Sequence, residues 1–240
     1  MLLAPRAALS DPPHGTSMST NRLEAFSDGV FAIASTLLVL ELHVPPVGEG
    51  PLFALLVAQW PAYAGYVVSF LTIGIIWVNH HAMFAVVRRV DRPLLFLNLL
   101  LLLVIGIIPF PTAVVGQWIT DSQGAPVAAA LLGVVFLSMG LAFGAIWVYA
   151  VGHHELALEG IDPGLARSAI PRFTIGNLAY LVGVALAFVS PLLSLLLYGL
   201  VAVYYIFPTL PGAKQTSDVR RSATGTADPR PGGSGDNDSP

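Results

Sequence analysis

The chain has no cysteine. Disulfides, thiolate metal sites and cysteine nucleophiles are thereby excluded together, and nothing follows about redox compartment. Charge is also scarce. Only 10% of the 240 residues are Asp, Glu, Lys or Arg, against about 25% in soluble domains. Residues 52–87 and 173–213 carry no formal charge. A nucleotide-binding glycine loop, a nucleophile elbow and a zinc-protease motif are all missing, so no enzyme and no cofactor is indicated, and no nucleic-acid partner is expected. A convincing secretory signal is missing too, because Met1 to Ser10 holds one arginine and Pro5 within a short apolar patch.

What is present is hydrophobic sequence, 55% of the chain, and the composition is that of a membrane protein. Six spans, each near the roughly 20 residues that a bilayer core requires, are predicted at about residues 25–44, 61–87, 93–115, 126–151, 173–189 and 191–209. The fold class is therefore an all-α membrane protein. Residues 1–21 and 211–240, rich in proline, glycine and polar side chains, read as disordered tails on a six-helix transmembrane domain of residues 22–210. The step Trp60-Pro61 breaks the long uncharged run after Leu52, because proline disfavours helical geometry in the residue before it. Residues 52–59 are left as a short interfacial helix. Pro109 and Pro111 are expected to kink or fray the third span.

Placement of the cations tests this count. All eleven Lys and Arg residues fall in the termini or after spans two and four: Arg6, Arg22, Arg88, Arg89, Arg92, Arg167, Arg172, Lys214, Arg220, Arg221 and Arg230. The three opposite loops hold none. Such a one-sided distribution predicts six crossings with both termini cytoplasmic, in the cell (plasma) membrane.

The first span combines two patterns. A row of bulky residues, Phe26, Val30, Ile33, Leu37, Leu40 and Val44, advances by alternate steps of four and three and forms one helical stripe. Small residues Ala25, Gly29, Ala32 and Thr36 follow one residue behind. The stripe can pack against another helix or face an opening; periodicity does not distinguish the two. At the front of the span lies a polar cluster of Arg22, Glu24, Ser27 and Asp28. An ionisable group within an apolar span requires partners or water. Asp28 either caps the span near the headgroups or bonds side chains of other helices, for which His80 and His81 are candidates on the same membrane side. The two histidines diverge by about 100° on a helix, which argues against a metal site there, as does the absence of the three- or four-residue spacing that helical ligand pairs use. His153-His154-Glu155 reads as a solvated connection, and Glu41 as an interfacial residue or a charge at a mouth.

The run Arg22-Leu-Glu-Ala-Phe26-Ser27-Asp28 resembles the signature of the transmembrane protein 175 family, potassium-permeable channels of eukaryotic lysosomes and of bacteria. Similarity continues through Trp77, His80-His81 and Asn98 to Pro109-Phe-Pro-Thr112. The resemblance implies a single-repeat prokaryotic-type member, assembled as a homotetramer in the lipid bilayer, in which the first helix of each subunit lines a central pore. It places a hydrophobic constriction at Ile33, Leu37 and Leu40, and a contribution to ion selection at Thr36. It also implies a structural hydrogen-bond network of Arg22, Phe26, Ser27 and Asp28 with Trp77, with His80 or His81, and with Asn98. Potassium is the implied permeant ion. The Thr-Val-Gly-Tyr-Gly carbonyl filter is missing from this chain, so selection would rest on apolar side chains. The alternative is a proton-coupled secondary transporter with Asp28 and a histidine as relay, although neither repeated halves nor a clearly broken midplane helix is visible.

Overall fold

The computed structural model describes residues 20–153, Leu156 and residues 170–206, and every element among them is a helix. In chain order these are α1 (Thr20–Leu37), which runs on as a 3-10 turn (Leu38–Glu41), α2 (Leu52–Ala58), α3 (Trp60–Phe84), α4 (Arg92–Ile107), α5 (Pro109–Trp118), α6 (Ala125–Gly152), α7 (Ile170–Ala187) and α8 (Pro191–Ile206). The tails expected at residues 1–21 and 211–240 lie outside the described residues, apart from Thr20 and Asn21, which open α1. His154, Glu155 and Arg167 also lie outside them.

Proline sets the helix starts. Pro61, Pro93, Pro109 and Pro126 each occupy the first turn of a helix, where the missing N–H would have had no intrahelical acceptor. Asp91 adds a side-chain cap to α4, accepting from the Leu94 amide at 2.9 Å. Its second oxygen accepts from the Tyr149 hydroxyl at 2.6 Å, which ties the α3–α4 loop to the end of α6. Leu156 reinforces that tie, its carbonyl accepting the Arg88 amide at 2.7 Å.

Five helical stretches among the described residues are long and apolar enough to cross a membrane: Thr20–Glu41, Trp60–Phe84, Arg92–Trp118, Ala125–Gly152 and Ile170–Ala187. Pro191–Ile206 is apolar but only 16 residues long. The expected first span differs in detail. Its helix begins at Thr20 and leaves α geometry after Leu37, so Leu40 sits in the 3-10 turn and Val44 lies beyond any helix. The tightened turn satisfies carbonyls at the helix end, as in the Leu42 amide bond to the Val39 carbonyl at 3.1 Å. Residues 93–115 contain two helices instead of one. Pro109 has no amide to continue the ladder, and the chain re-forms a helix immediately.

Helix α6 is the packing centre, in contact with α4, α5, α7 and α8. Small residues on it allow close approach. Tyr198 of α8 lies against Gly133 of α6 and Gly183 of α7, and its hydroxyl donates to the Ala129 carbonyl at 3.3 Å. Helix α1 packs on α3 and α4, burying Leu23, Ser27, Phe31 and Ala34, with Leu38 continuing the row. The outer faces of α7 and α8 expose Leu178, Leu181, Val182, Leu196 and Leu200, an apolar exterior suited to lipid.

Candidate functional site

Helix α1 carries two faces with opposite surroundings. On the inner face a chain of hydrogen bonds crosses three helices. His80 Nε2 of α3 donates to Asn98 Oδ1 of α4 at 2.8 Å. Asn98 Nδ2 donates to Ser27 Oγ of α1 at 3.0 Å, and Ser27 Oγ donates to the Leu23 carbonyl at 2.9 Å. An amide oxygen can only accept, so His80 Nε2 carries a hydrogen. Ser27 and Asn98 are fully buried and His80 is 1% exposed. Each polar atom of this chain is therefore costly to leave without its partner, at about 1–3 kcal/mol. Phe31 meets the His80 ring edge-on at 5.4 Å between centroids, and Phe84 lies 4.5 Å from it. The imidazole is fixed by hydrogen bond and by packing.

A second tie lies nearer the surface. Trp77 Nε1 donates to Asp28 Oδ1 at 2.8 Å, so Asp28 bonds another helix and does not cap its own. The two histidines separate as their 100° divergence on a helix requires. His80 joins the buried chain, whereas exposed His81 lies 3.6 Å from Glu24 through Nδ1. Arg22 is exposed and makes no ion pair or hydrogen bond among the described residues, and Phe26 points outward at 56% exposure. Neither touches the buried chain. Phe31, Phe84 and Glu24 do take part in these contacts. The signal for Phe31 was its place four residues after Ser27, on the row Leu23, Ser27, Phe31, Ala34 and Leu38.

On the outer face Ile33, Leu37 and Leu40 are 61%, 40% and 68% exposed. Thr36 is exposed between them, its hydroxyl donating to the Ile33 carbonyl at 2.9 Å. With the hydrogen turned to the backbone, the oxygen is left as an outward acceptor. These three apolar side chains thus stand on the exposed side of α1, whereas Val30 of the same row packs partly on the core.

A family model described as the endosomal/lysosomal potassium channel TMEM175 matches residues 22–109. "Potassium channel B446_29190" of Streptomyces collinus is 49% identical over 193 residues, which is 80% of this chain and 94% of that protein. "Endosomal/lysosomal proton channel TMEM175" of Gallus gallus is 35% identical over 160 residues, 63% of this chain but 31% of that longer protein. Among solved structures, the lysosomal potassium-selective channel TMEM175 homologue from Chamaesiphon minutus superposes with a TM-score of 0.71 at 36% identity, covering 79% of this chain and 97% of that one.

Proposed function

The chain belongs to the TMEM175 family and is a membrane-embedded potassium channel; from that premise we propose that four copies surround one axis, with α1 of each lining the pore. Ile33, Leu37 and Leu40 then form stacked apolar rings, and their exposure within the single subunit is the observation that carries this reading. Six crossings per subunit, with α8 as the short sixth, place both termini on the cytoplasmic side of the plasma membrane, in keeping with the distribution of Lys and Arg.

The rings work through water. When they are close, the constriction cannot hold a continuous water column, and ions are blocked without any charged plug. A modest rotation or splaying of α1 admits water and a partly hydrated cation. Potassium passes more readily than sodium because its hydration shell is stripped at lower cost, so discrimination is moderate. Thr36 supplies one acceptor oxygen per subunit beside the rings, with its hydroxyl hydrogen already committed to the Ile33 carbonyl. Ser27, Asp28, Trp77, His80 and Asn98 hold α1 at a fixed angle, because all the bonds among them run from α1 to α3 or from α4 to α1 and α3.

Ile33→Asn tests the constriction. A polar ring wets the narrow zone, so single-channel current in reconstituted bilayers rises or the closed state leaks. Currents indistinguishable from the parent would remove Ile33 from the constriction.

A further inference from the structure

The loop between α3 and α4 is fastened to the protein from within. Val87 and Val90 are buried, and the Arg88 and Arg89 amides donate to the Leu156 carbonyl at 2.7 and 3.4 Å. The single carboxylate of the loop is engaged in the same direction, since Asp91 accepts from the Leu94 amide and from the Tyr149 hydroxyl of α6. Arg89 and Arg92, on either side of it, are left at the surface. Both are exposed, and neither makes an ion pair or a side-chain hydrogen bond among the described residues. Two guanidinium groups are thus presented on a fixed backbone, while the acid between them is held by other partners.

Arg92 also heads a stripe on α4. Phe96, Leu99, Leu100 and Leu103 follow it on one side of the helix, and all four are exposed. The other side, with Leu94, Asn98, Leu101 and Ile105, is buried where α4 packs on α1 and α6. From Arg92 to Leu103 the stripe rises about 16 Å, close to half of a roughly 30 Å hydrocarbon core. The membrane-crossing stretch Arg92–Trp118 opens at Arg92, so the guanidinium groups stand at headgroup level and the stripe runs through one leaflet.

The two halves of this surface ask for different chemistry. Guanidinium groups bind phosphate oxygens through paired hydrogen bonds. A zwitterionic headgroup would set its own cation beside them, whereas an anionic one would not. The apolar stripe has no use for a free phosphate but matches acyl chains. We infer that this face of α4 binds an anionic phospholipid of the adjoining leaflet, its phosphate on Arg89 and Arg92 and its acyl chains along Phe96, Leu99 and Leu103.

The test uses the full chain purified in detergent and titrated with phosphatidylglycerol or phosphatidylcholine of identical acyl chains, with bound lipid counted by native mass spectrometry. This readout depends on neither conduction nor orientation. Phosphatidylglycerol should be retained at about tenfold lower concentration than phosphatidylcholine, because each guanidinium near the headgroups favours anionic lipid severalfold. Arg89→Gln combined with Arg92→Gln, both at exposed positions, should erase that difference. Leu103→Ala should weaken both lipids and keep the preference. Excess inorganic phosphate should leave the lipid bound; displacement would mean an anion site without a lipid and would overturn the proposal. Equal retention of the two lipids by the parent chain would overturn it as well, as would a preference that survives the double substitution. A disulfide formed between copies by Leu103→Cys would place a second copy of the chain over this face, with the same consequence.

Discussion

Asn98 is the residue on which the position of α1 depends most. It spends its oxygen on His80 and its nitrogen on Ser27, so Asn98→Leu leaves the buried His80 N–H without its acceptor and removes the donor to Ser27 Oγ, which keeps only its bond to the Leu23 carbonyl. The expected loss is about 1–3 kcal/mol, read as a fall of several degrees in the thermal midpoint of the purified protein, at about 2–4 °C per kcal/mol for chains of this size. Trp77→Phe keeps the ring and removes only the bond to Asp28. Because Asp28 is exposed and water can replace the indole, the loss should be less than about 1 kcal/mol. Trp77→Phe proving the more damaging of the two would refute this ranking. The polar residues themselves were visible in the sequence, and so was the need of Asp28 for a partner. The choice between His80 and His81 was not, because both lie near the same membrane face and only the rotation of α3 separates them.

At the scale of elements, the break between α4 and α5 is held against α3 by a pair of buried hydroxyls. Pro109 and Pro111 remove two amides from the ladder. Thr112 Oγ1 donates to the Ile108 carbonyl at 2.9 Å, and Ser69 Oγ of α3 lies 2.7 Å from Thr112 Oγ1. Both side chains are buried, and with the Thr112 hydrogen committed, Ser69 is the donor between them. Thr112→Val should therefore strand the Ser69 hydroxyl. A double-mutant cycle with Ser69→Ala should show coupling, the pair costing less than the sum of its singles by about 0.5–2 kcal/mol in thermal or denaturant unfolding. Additive effects would mean that the contact contributes nothing. Close approach explains the location: Gly65 sits against Thr112 and Gly116 against Ala62, so α3 and α5 meet almost backbone to backbone. The prolines and the kink were legible in the sequence, but the close seating of the second helix on α3 was not, because it depends on contacts between residues far apart in the chain.

For the whole molecule, the absence of cysteine is an experimental advantage. A single cysteine at Val47, which is fully exposed, should react with an impermeant maleimide applied outside the cell. One at Arg89 should react only after permeabilisation. The reverse pattern would invert the proposed orientation, and equal access would break the six-crossing count. The detergent-purified assembly should have four times the 25.3 kDa mass of one chain once bound detergent is subtracted. A dimer or monomer that still conducted potassium in liposomes would refute the fourfold pore.

The sequence by itself determined that this protein lives in a membrane and that prolines open several of its helices, and it confined Lys and Arg to a few short segments, one-sided under the proposed six crossings. These are properties of composition and of short-range chemistry: apolar length, prolines without amides, and the cost of moving guanidinium groups through hydrocarbon. It also displayed two rows on the first helix, one bulky and one small, without deciding which way either faced. Only tertiary structure could decide that, because both rows are apolar enough to be buried and a helix is free to rotate about its axis until something fixes it. The Asn98 amide, reaching from α4 to Ser27 while holding His80, fixes α1. With Ser27 turned inward, geometry leaves Ile33, Leu37 and Leu40 on the exposed side of the chain.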